Sequence, residues 1–173
     1  MREQVGLVAR RPKVARDEAR RRLGLDGRPT VLVSFGGVGL PGLERSALER
    51  DPGLRWLLPE ELPEARLEAL ALGYPDLVGA ADVVLTKPGY GIVSDAIGAG
   101  TRLVYTERGD FPEYPVMVAA LPRYLACVHL SNADLRAGLA GEAVRRVLAL
   151  PMPSPPPLDG AARAAGRVLA ALG

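Results

Sequence analysis

The sequence is poor in the residues that cross-link a fold or hold a metal ion. Its 173 residues include one cysteine, Cys127, and one histidine, His129. A single cysteine excludes an intrachain disulfide, and zinc sites of the His/Cys type need several such ligands. The composition therefore predicts no disulfide and no bound metal, and we expect no other cofactor.

Long apolar runs and a strong excess of one charge are also missing. No stretch reaches the roughly 18 apolar residues of a membrane-spanning helix, and the opening MREQVGLVARR has too short an apolar run for a secretion signal. Twenty-two basic residues oppose 20 acidic ones, for a formal charge of +2. A chain that binds nucleic acid through its overall field is more basic than this. We expect a cytoplasmic protein with no membrane span and no nucleic-acid partner.

Apolar runs of strand length are present, and helical segments separate them. The strand-like runs are residues 31–35, 54–58, 83–86, 103–106 and 126–130, and a weaker run at 65–72 fits either a strand or a helix. Unbroken apolar strands in succession with helices are typical of a parallel sheet that is buried on both faces. The pattern predicts an α/β protein: a three-layer α/β/α, Rossmann-like domain with a parallel sheet of about six strands.

The length of the chain predicts a single domain. Residues 1–28 read as a linker and a first helix, and residues 29–150 as the body of one α/β domain. The segment PMPSPPP lacks most of its amide donors, so it can be neither a helix nor a central strand. Residues 151–173 are therefore predicted to form a proline-rich strap and a last helix of the same domain.

A glycine-rich loop, SFGGVGLPG, follows the first strand-like run. Gly36 and Gly37 would let the backbone approach a ligand at the carboxyl edge of the sheet, where open parallel sheets bind their ligands. The loop matches neither the dinucleotide fingerprint nor a P-loop. A tight strand exit with no ligand is the alternative interpretation.

The stretch DVVLTKPGYGIVSD joins a buried strand to a helix with almost no loop. Pro88 and Gly89 end the strand and Gly91 begins the helix. The amides of Gly91, Ile92 and Val93 would then be free at the positive end of the helix dipole. Such an end favours an anion.

Two charged residues flank this junction. Lys87 adds a positive charge at the strand end, which suits a diphosphate. Asp95 lies one helical turn after Gly91, where a carboxylate could accept hydrogen bonds from the vicinal hydroxyls of a ribose. Alternatively, Lys87 is a surface lysine and Asp95 only stabilises the helix dipole.

The run KPGYGIVSDAIGAGTRLVY resembles the donor-nucleotide segment of the GT-B glycosyltransferases. Lys87 and Asp95 keep the spacing at which a basic residue and a helix-borne carboxylate bind the diphosphate and ribose of a nucleotide sugar in that family. The resemblance extends over about residues 29–150. It is strongest to the bacterial peptidoglycan-precursor N-acetylglucosaminyltransferase and, for TKPGYGIVSDA with RGDFPEYP, to the glycosyltransferase-like half of L-arabinokinase-type proteins.

The resemblance implies a ligand, a nucleoside diphosphate sugar such as a UDP sugar, and a set of binding residues. The residues implied at the diphosphate are Gly36, Gly37, Lys87, Gly89, Gly91 and Ile92, with Asp95 at the ribose and Asp110 and Glu113 near the donor sugar. The chain departs from the family pattern in three places: lysine replaces the usual histidine at 87, aspartate replaces glutamate at 95, and Asp110-Phe111 does not reproduce the Asp-Gln pair of the plant nucleotide-sugar transferases.

GT-B enzymes have two Rossmann-like domains, and this chain resembles only the second, donor-binding one. The resemblance therefore implies a fragment or one partner of a two-chain enzyme, inactive without an N-terminal acceptor domain. The last helix would lose part of its covering surface, and a homo-oligomer could supply it. A nucleotide-sugar epimerase or hydrolase of the same architecture, and a non-catalytic nucleotide-binding or interaction domain, are the alternative functions.

Overall fold

The computed structural model of the protein describes residues 4–36, 42–48 and 50–172. In this part of the chain the strands are β1 (Thr30–Ser34), β2 (Arg55–Leu57), β3 (Val83–Thr86), β4 (Arg102–Tyr105) and β5 (Cys127–His129). The helices are α1 (Arg16–Arg22), α2 (Arg45–Leu48), α3 (Glu64–Ala69), α4 (Tyr74–Ala80), α5 (Tyr90–Ala99), α6 (Tyr114–Ala120), α7 (Asn132–Arg136), α8 (Ala140–Leu148) and α9 (Gly160–Leu172). Gly37, predicted at the diphosphate, lies outside the described residues.

The strands form one parallel sheet in the order β2-β1-β3-β4-β5. The predicted α/β fold with a parallel sheet is confirmed, and each of the five strong apolar runs matches a strand to within one residue at either end. The weaker run at 65–72 is not a strand. It begins within α3, so the sheet has five strands in the described residues, where about six were expected.

The sheet is covered by helices on both faces. Successive strand residues point to opposite sides: Leu32 and Val84 lie in one apolar core, whereas Val31 and Val83 lie in the other. Helices α1, α4, α5 and α6 contribute to the first core, and α2, α7 and α8 contribute to the second. The result is the three-layer, Rossmann-like arrangement that the sequence predicted.

The strand order reverses direction between β1 and β3. The connection from β1 through α2 leads to β2 on one side, and the later strands extend on the other side of β1. Crossovers between parallel strands are right-handed. Because the connection through α2 runs towards one edge of the sheet and the connection through α5 runs towards the other, these two helices lie on opposite faces. A crevice opens between such connections at the carboxyl ends of the two strands.

The segment that precedes α1 lies against α4 and α5. The Asp76 carboxylate on α4 accepts hydrogen bonds from the backbone N–H groups of Lys13 at 2.6 Å and Val14 at 2.8 Å. It also accepts one from Gly73 at 2.8 Å, at the start of its own helix. Residue 98 on α5 must be glycine, because a Cβ there would lie 2.5 Å from the Arg10 carbonyl oxygen. These contacts fix the position of the N-terminal segment.

The last helix, α9, is exposed over most of its length. The exposed fractions of Val168, Leu169 and Leu172 are 59%, 69% and 79%. Only its first residue, Gly160, is buried, and the Gly160 N–H donates to the Leu7 carbonyl oxygen at 3.2 Å. The described part of α9 therefore meets its own domain chiefly at the N-terminal segment. Across the described residues, no helix is both long enough and apolar enough to span a membrane.

The three hydrogen bonds to Asp76 predict a pH-dependent loss of stability in Asp76→Ala. Burial raises the pKa of Asp76, but the N–H groups of Val14, Gly73 and Lys13 outweigh it and the pKa is lowered. The carboxylate therefore stabilises the fold fully above its unfolded-state pKa, about 3.9, and this contribution is lost as the pH falls through the lower folded-state value. We expect Asp76→Ala to lower the free energy of unfolding by about 2–4 kcal/mol near neutral pH.

Urea unfolding at neutral pH and at about pH 3 measures this effect, and the deficit should shrink at the lower pH. Asp17→Ala is the control, because Asp17 is exposed in the first turn of α1. It should change the free energy of unfolding by no more than about 1 kcal/mol. An equal deficit for Asp76→Ala at both pH values would contradict the role given to the carboxylate.

Candidate functional site

A cavity of about 580 Å³ lies at the carboxyl ends of β1 and β3. It is the crevice that the reversal of strand order creates. The residues that line it are Arg10, Ser34, Phe35, Gly36, Tyr74, Thr86, Lys87, Gly89, Tyr90, Gly91, Ile92, Asp95 and Arg108. The predicted residues Gly36, Lys87, Gly89, Gly91, Ile92 and Asp95 are therefore brought together in one cavity.

The N-terminus of α5 opens into this cavity. The helix begins at Tyr90, one residue earlier than predicted, and Gly89 is its extended N-cap. The Val93 N–H donates to the Gly89 carbonyl oxygen at 3.0 Å, so the prediction that the Val93 amide is free was wrong. The amides without an intrahelical acceptor are those of Tyr90, Gly91 and Ile92. Within the described chain no side chain caps this end of the helix.

Lys87 directly follows β3, and its backbone is held in place. The Thr86 hydroxyl lies 2.9 Å from the Lys87 carbonyl oxygen and 2.5 Å from that of Ser34, and it donates to one of the two. This hydroxyl thus joins the ends of β1 and β3. The lysine side chain is half-buried and lines the cavity next to the first turn of α5. A full positive charge and free helix amides together favour an anion.

Asp95 lines the cavity, but its carboxylate is already bound. Its side chain is 1% exposed. Arg10 approaches it with Nε 3.0 Å from Oδ1 and Nη2 2.5 Å from Oδ2, which is a bidentate ion pair. The hydrogen bond to Asp95 raises the pKa of Arg10. The sequence analysis missed this partner, because 85 positions separate the two residues and no local pattern connects them.

Tyr74 completes the wall beside this ion pair. Its hydroxyl lies 2.5 Å from the Ser34 Oγ, and the Arg10 Cζ lies 5.9 Å from the centre of its ring. Burial raises the pKa of Tyr74, so the phenol is neutral near physiological pH. Arg10 is therefore oriented by a carboxylate on one side and an aromatic face on the other.

The acidic residues predicted near the donor sugar do not line this cavity. Asp110 borders a separate hollow of about 320 Å³ with Phe111 and Tyr114. Partial desolvation and the nearby negative charge of Glu113 raise the pKa of Tyr90, so the Glu113 carboxylate lies close to the Tyr90 hydroxyl. The residue of this loop that reaches the cavity is Arg108. Its position directly before the acidic stretch GDFPEY gave no sign of this role in the sequence.

The chain is similar in sequence to a curated protein. It is 31% identical over 144 residues to the L-arabinokinase of Arabidopsis thaliana. The aligned part covers 78% of this chain and 14% of that protein. No family model matches the chain. The predicted resemblance to L-arabinokinase-type proteins is thereby confirmed, whereas membership of the GT-B glycosyltransferases stays a prediction.

The ion pair between Arg10 and Asp95 predicts a measurable loss of stability in Arg10→Ala. Removing Arg10 leaves a buried carboxylate without its partner, which costs several kcal/mol in a dry interior. The Arg10 side chain is 63% exposed, so solvent screens part of this cost. We expect the free energy of unfolding to fall by about 1–3 kcal/mol.

Chemical denaturation measures the loss, and Arg21→Ala serves as the matched control. Arg21 pairs with Glu18 on the surface of α1, and loss of such a pair should change the free energy of unfolding by less than about 1 kcal/mol. A double-mutant cycle with Asp95→Asn should show coupling between Arg10 and Asp95. Strictly additive losses would mean that the pair contributes nothing.

Proposed function

We propose that the cavity binds the nucleoside diphosphate of a nucleotide sugar, and that the chain is the donor-binding part of a GT-B glycosyltransferase. The anion-binding end is the first turn of α5 together with Lys87, and Gly36 lies across from it on the loop after β1. Gly89, Gly91 and Ile92 are proposed at the diphosphate, as the resemblance implies. The ligand would lie along the crevice between β1 and β3.

The main support for this proposal is the positive charge of the cavity beside the N-terminus of α5, which no side chain of the described residues caps. Among the described residues, three cationic side chains and one carboxylate line the cavity, namely those of Arg10, Lys87, Arg108 and Asp95. Because Arg10 is paired with Asp95, the remaining lining carries an excess of positive charge. Phosphate groups satisfy both this charge and the amides of the first helical turn.

The similarity to an L-arabinokinase supports a ligand that is related to a sugar, because the name of that protein refers to one. The chain corresponds to 14% of the length of that protein. The name therefore supports only a sugar-related class of ligand. We do not propose a kinase activity for this chain.

The proposed ribose contact at Asp95 must take the Arg10 ion pair into account. Each carboxylate oxygen can accept more than one hydrogen bond, but the Asp95 side chain is 1% exposed. Ribose hydroxyls would reach it only when Arg10 moves aside. We propose that ribose and Arg10 compete for this carboxylate. The sugar would extend towards the loop after Arg108, where Asp110 and Glu113 are proposed to contact it.

In the proposed transfer the bond between the sugar carbon and the diphosphate oxygen breaks, and the electron pair stays on the diphosphate. Lys87 and the α5 amides would stabilise this departing charge, which is how a preorganised site lowers such a barrier. An acceptor hydroxyl attacks the sugar carbon and gives its proton to a base. The acceptor and the base would come from a partner domain. An epimerase or hydrolase would need its own acid and base, and one ion-paired carboxylate does not provide both.

Titration with UDP, GDP, ADP and TDP tests the proposal. The chain should bind at least one nucleoside diphosphate with a dissociation constant in the high micromolar to millimolar range, which is a binding free energy of roughly 4–6 kcal/mol. The affinity should be this weak because, in the proposed enzyme, the acceptor domain forms the other side of the cleft. Lys87→Ala should weaken this binding by about 1–3 kcal/mol, since a charged hydrogen bond is lost. Chemical-shift perturbation or calorimetry measures both effects.

Lys13→Ala is the matched control for this variant. Lys13 is the only other lysine of the sequence, its side chain is exposed, and it does not line the cavity. Its backbone N–H, which binds Asp76, is kept in the variant. Lys13→Ala should bind as the wild type does. If none of the four diphosphates perturbs the wild type at several millimolar, the proposed function is wrong.

A further inference from the structure

Arg108 lies at the mouth of the cavity, beside the N-cap of α5. It belongs to the loop between β4 and α6, and its Nη1 donates to the Pro88 carbonyl oxygen at 2.6 Å. This hydrogen bond brings the guanidinium against the backbone of Gly89. A Cβ at position 89 would overlap Nη1, so the glycine leaves the room that the guanidinium occupies.

A second contact fixes the orientation of this guanidinium. Its Cζ lies 4.2 Å from the centre of the Phe111 ring, within the range of a cation–π interaction. Phe111 covers one face, and Pro88 accepts from one N–H group. A guanidinium has five N–H donors in a rigid fork. The other four donors of Arg108 make no hydrogen bond within the described residues, although the side chain is held by two contacts.

The charges that line the cavity distinguish Arg108 from Arg10. Arg10 is neutralised by its bidentate contact with Asp95. Arg108 has no ion pair with any described carboxylate, and its neighbour Glu107 is bound to the Asn132 N–H at 2.6 Å and lies 3.3 Å from the His129 Nε2. Arg108 is therefore an oriented cation whose charge no described side chain balances.

We propose that Arg108 is a second phosphate-binding residue, which makes the cavity prefer a diphosphate to a monophosphate. This inference rests on the proposed function and deepens it. Lys87 is held at the end of β3. Arg108, on the loop between β4 and α6, is hydrogen-bonded to Pro88, which directly follows Lys87. The two cations therefore lie beside the same short stretch of backbone and match two adjacent phosphate groups, whereas one phosphate group cannot use both equally well. A guanidinium can also donate two parallel hydrogen bonds to two oxygens of one phosphate group, because its N–H donors lie in one plane.

The test is Arg108→Gln, measured against the wild type with three forms of one nucleoside. The nucleoside, its monophosphate and its diphosphate are titrated in turn, together with inorganic phosphate and pyrophosphate. We expect the variant to lose affinity for the diphosphate by about tenfold, to lose little for the monophosphate and nothing for the nucleoside. Arg108→Lys keeps the charge and should retain part of the preference.

Arg123→Gln is the matched control, because Arg123 is exposed in the turn after α6 and does not line the cavity. It should bind all the probes as the wild type does. Thermal unfolding of each variant shows whether the fold is intact. An equal loss for all three forms of the nucleoside would overturn the inference, since it would assign Arg108 a purely structural role. An unchanged preference for the diphosphate would overturn it as well.

The same titrations separate this inference from the proposed function. If the wild type binds pyrophosphate but no nucleoside diphosphate, and Arg108→Gln abolishes that binding, the nucleotide function fails while the role of Arg108 holds. If the wild type binds nucleoside diphosphates and the variant keeps the full preference, only the role of Arg108 fails. If neither diphosphates nor pyrophosphate bind, both fail.

Discussion

The pairing of β1 with β3 is the constraint on which the candidate site depends. Asp82 and Thr86 close the two ends of this pair. The Asp82 N–H donates to the Thr30 carbonyl oxygen at 2.9 Å, and its carboxylate accepts from the Thr30 N–H at 2.8 Å. At the other end the Thr86 hydroxyl reaches the Ser34 carbonyl oxygen. Because β2 lies on the far side of β1, the loops after β1 and β3 diverge and leave the crevice open.

The N-terminal segment is the second determinant of the site, although it belongs to neither the sheet nor its crossovers. Asp76 fixes its backbone, and the glycine at position 98 lets it approach α5 closely. Only with the backbone in this position can Arg10 reach Asp95. With Arg10 in this position the Asp95 carboxylate is 1% exposed and ion-paired. The other charged side chains of the described lining, those of Lys87 and Arg108, are cationic.

The sequence predicted the fold well because its strongest signals are local. Buried strands in parallel sheets are continuous apolar runs, and each of the five runs matches a strand to within one residue at either end. The weaker run was ambiguous on periodicity alone. Its leucines at 67 and 70 pack against one core while its neighbours are exposed, which is the pattern of an amphipathic helix, and Pro63 precedes the first turn of α3.

The site was predictable only in the part that one continuous stretch supplies. Lys87 directly follows β3, and Gly91 and Asp95 both lie on α5, so their common cavity follows from one continuous stretch of the sequence. Arg10 and Arg108 come from distant segments, and their positions depend on tertiary contacts with Asp95 and Pro88. No spacing rule connects residues that meet only after the sheet has formed.

Local arrangement, and not overall charge, is the basis of the proposed affinity of this cavity for anions. The whole chain carries a formal charge of +2, too little to attract polyanions over its surface. Within the cavity, Lys87 and the first turn of α5 lie together, while the negative charge of Asp95 is balanced by Arg10. Low-dielectric walls strengthen such fields, and solvent screens the isolated charges outside. A small ligand with adjacent phosphate groups uses this concentrated charge fully, whereas an extended polyanion can place only one or two of its phosphates inside.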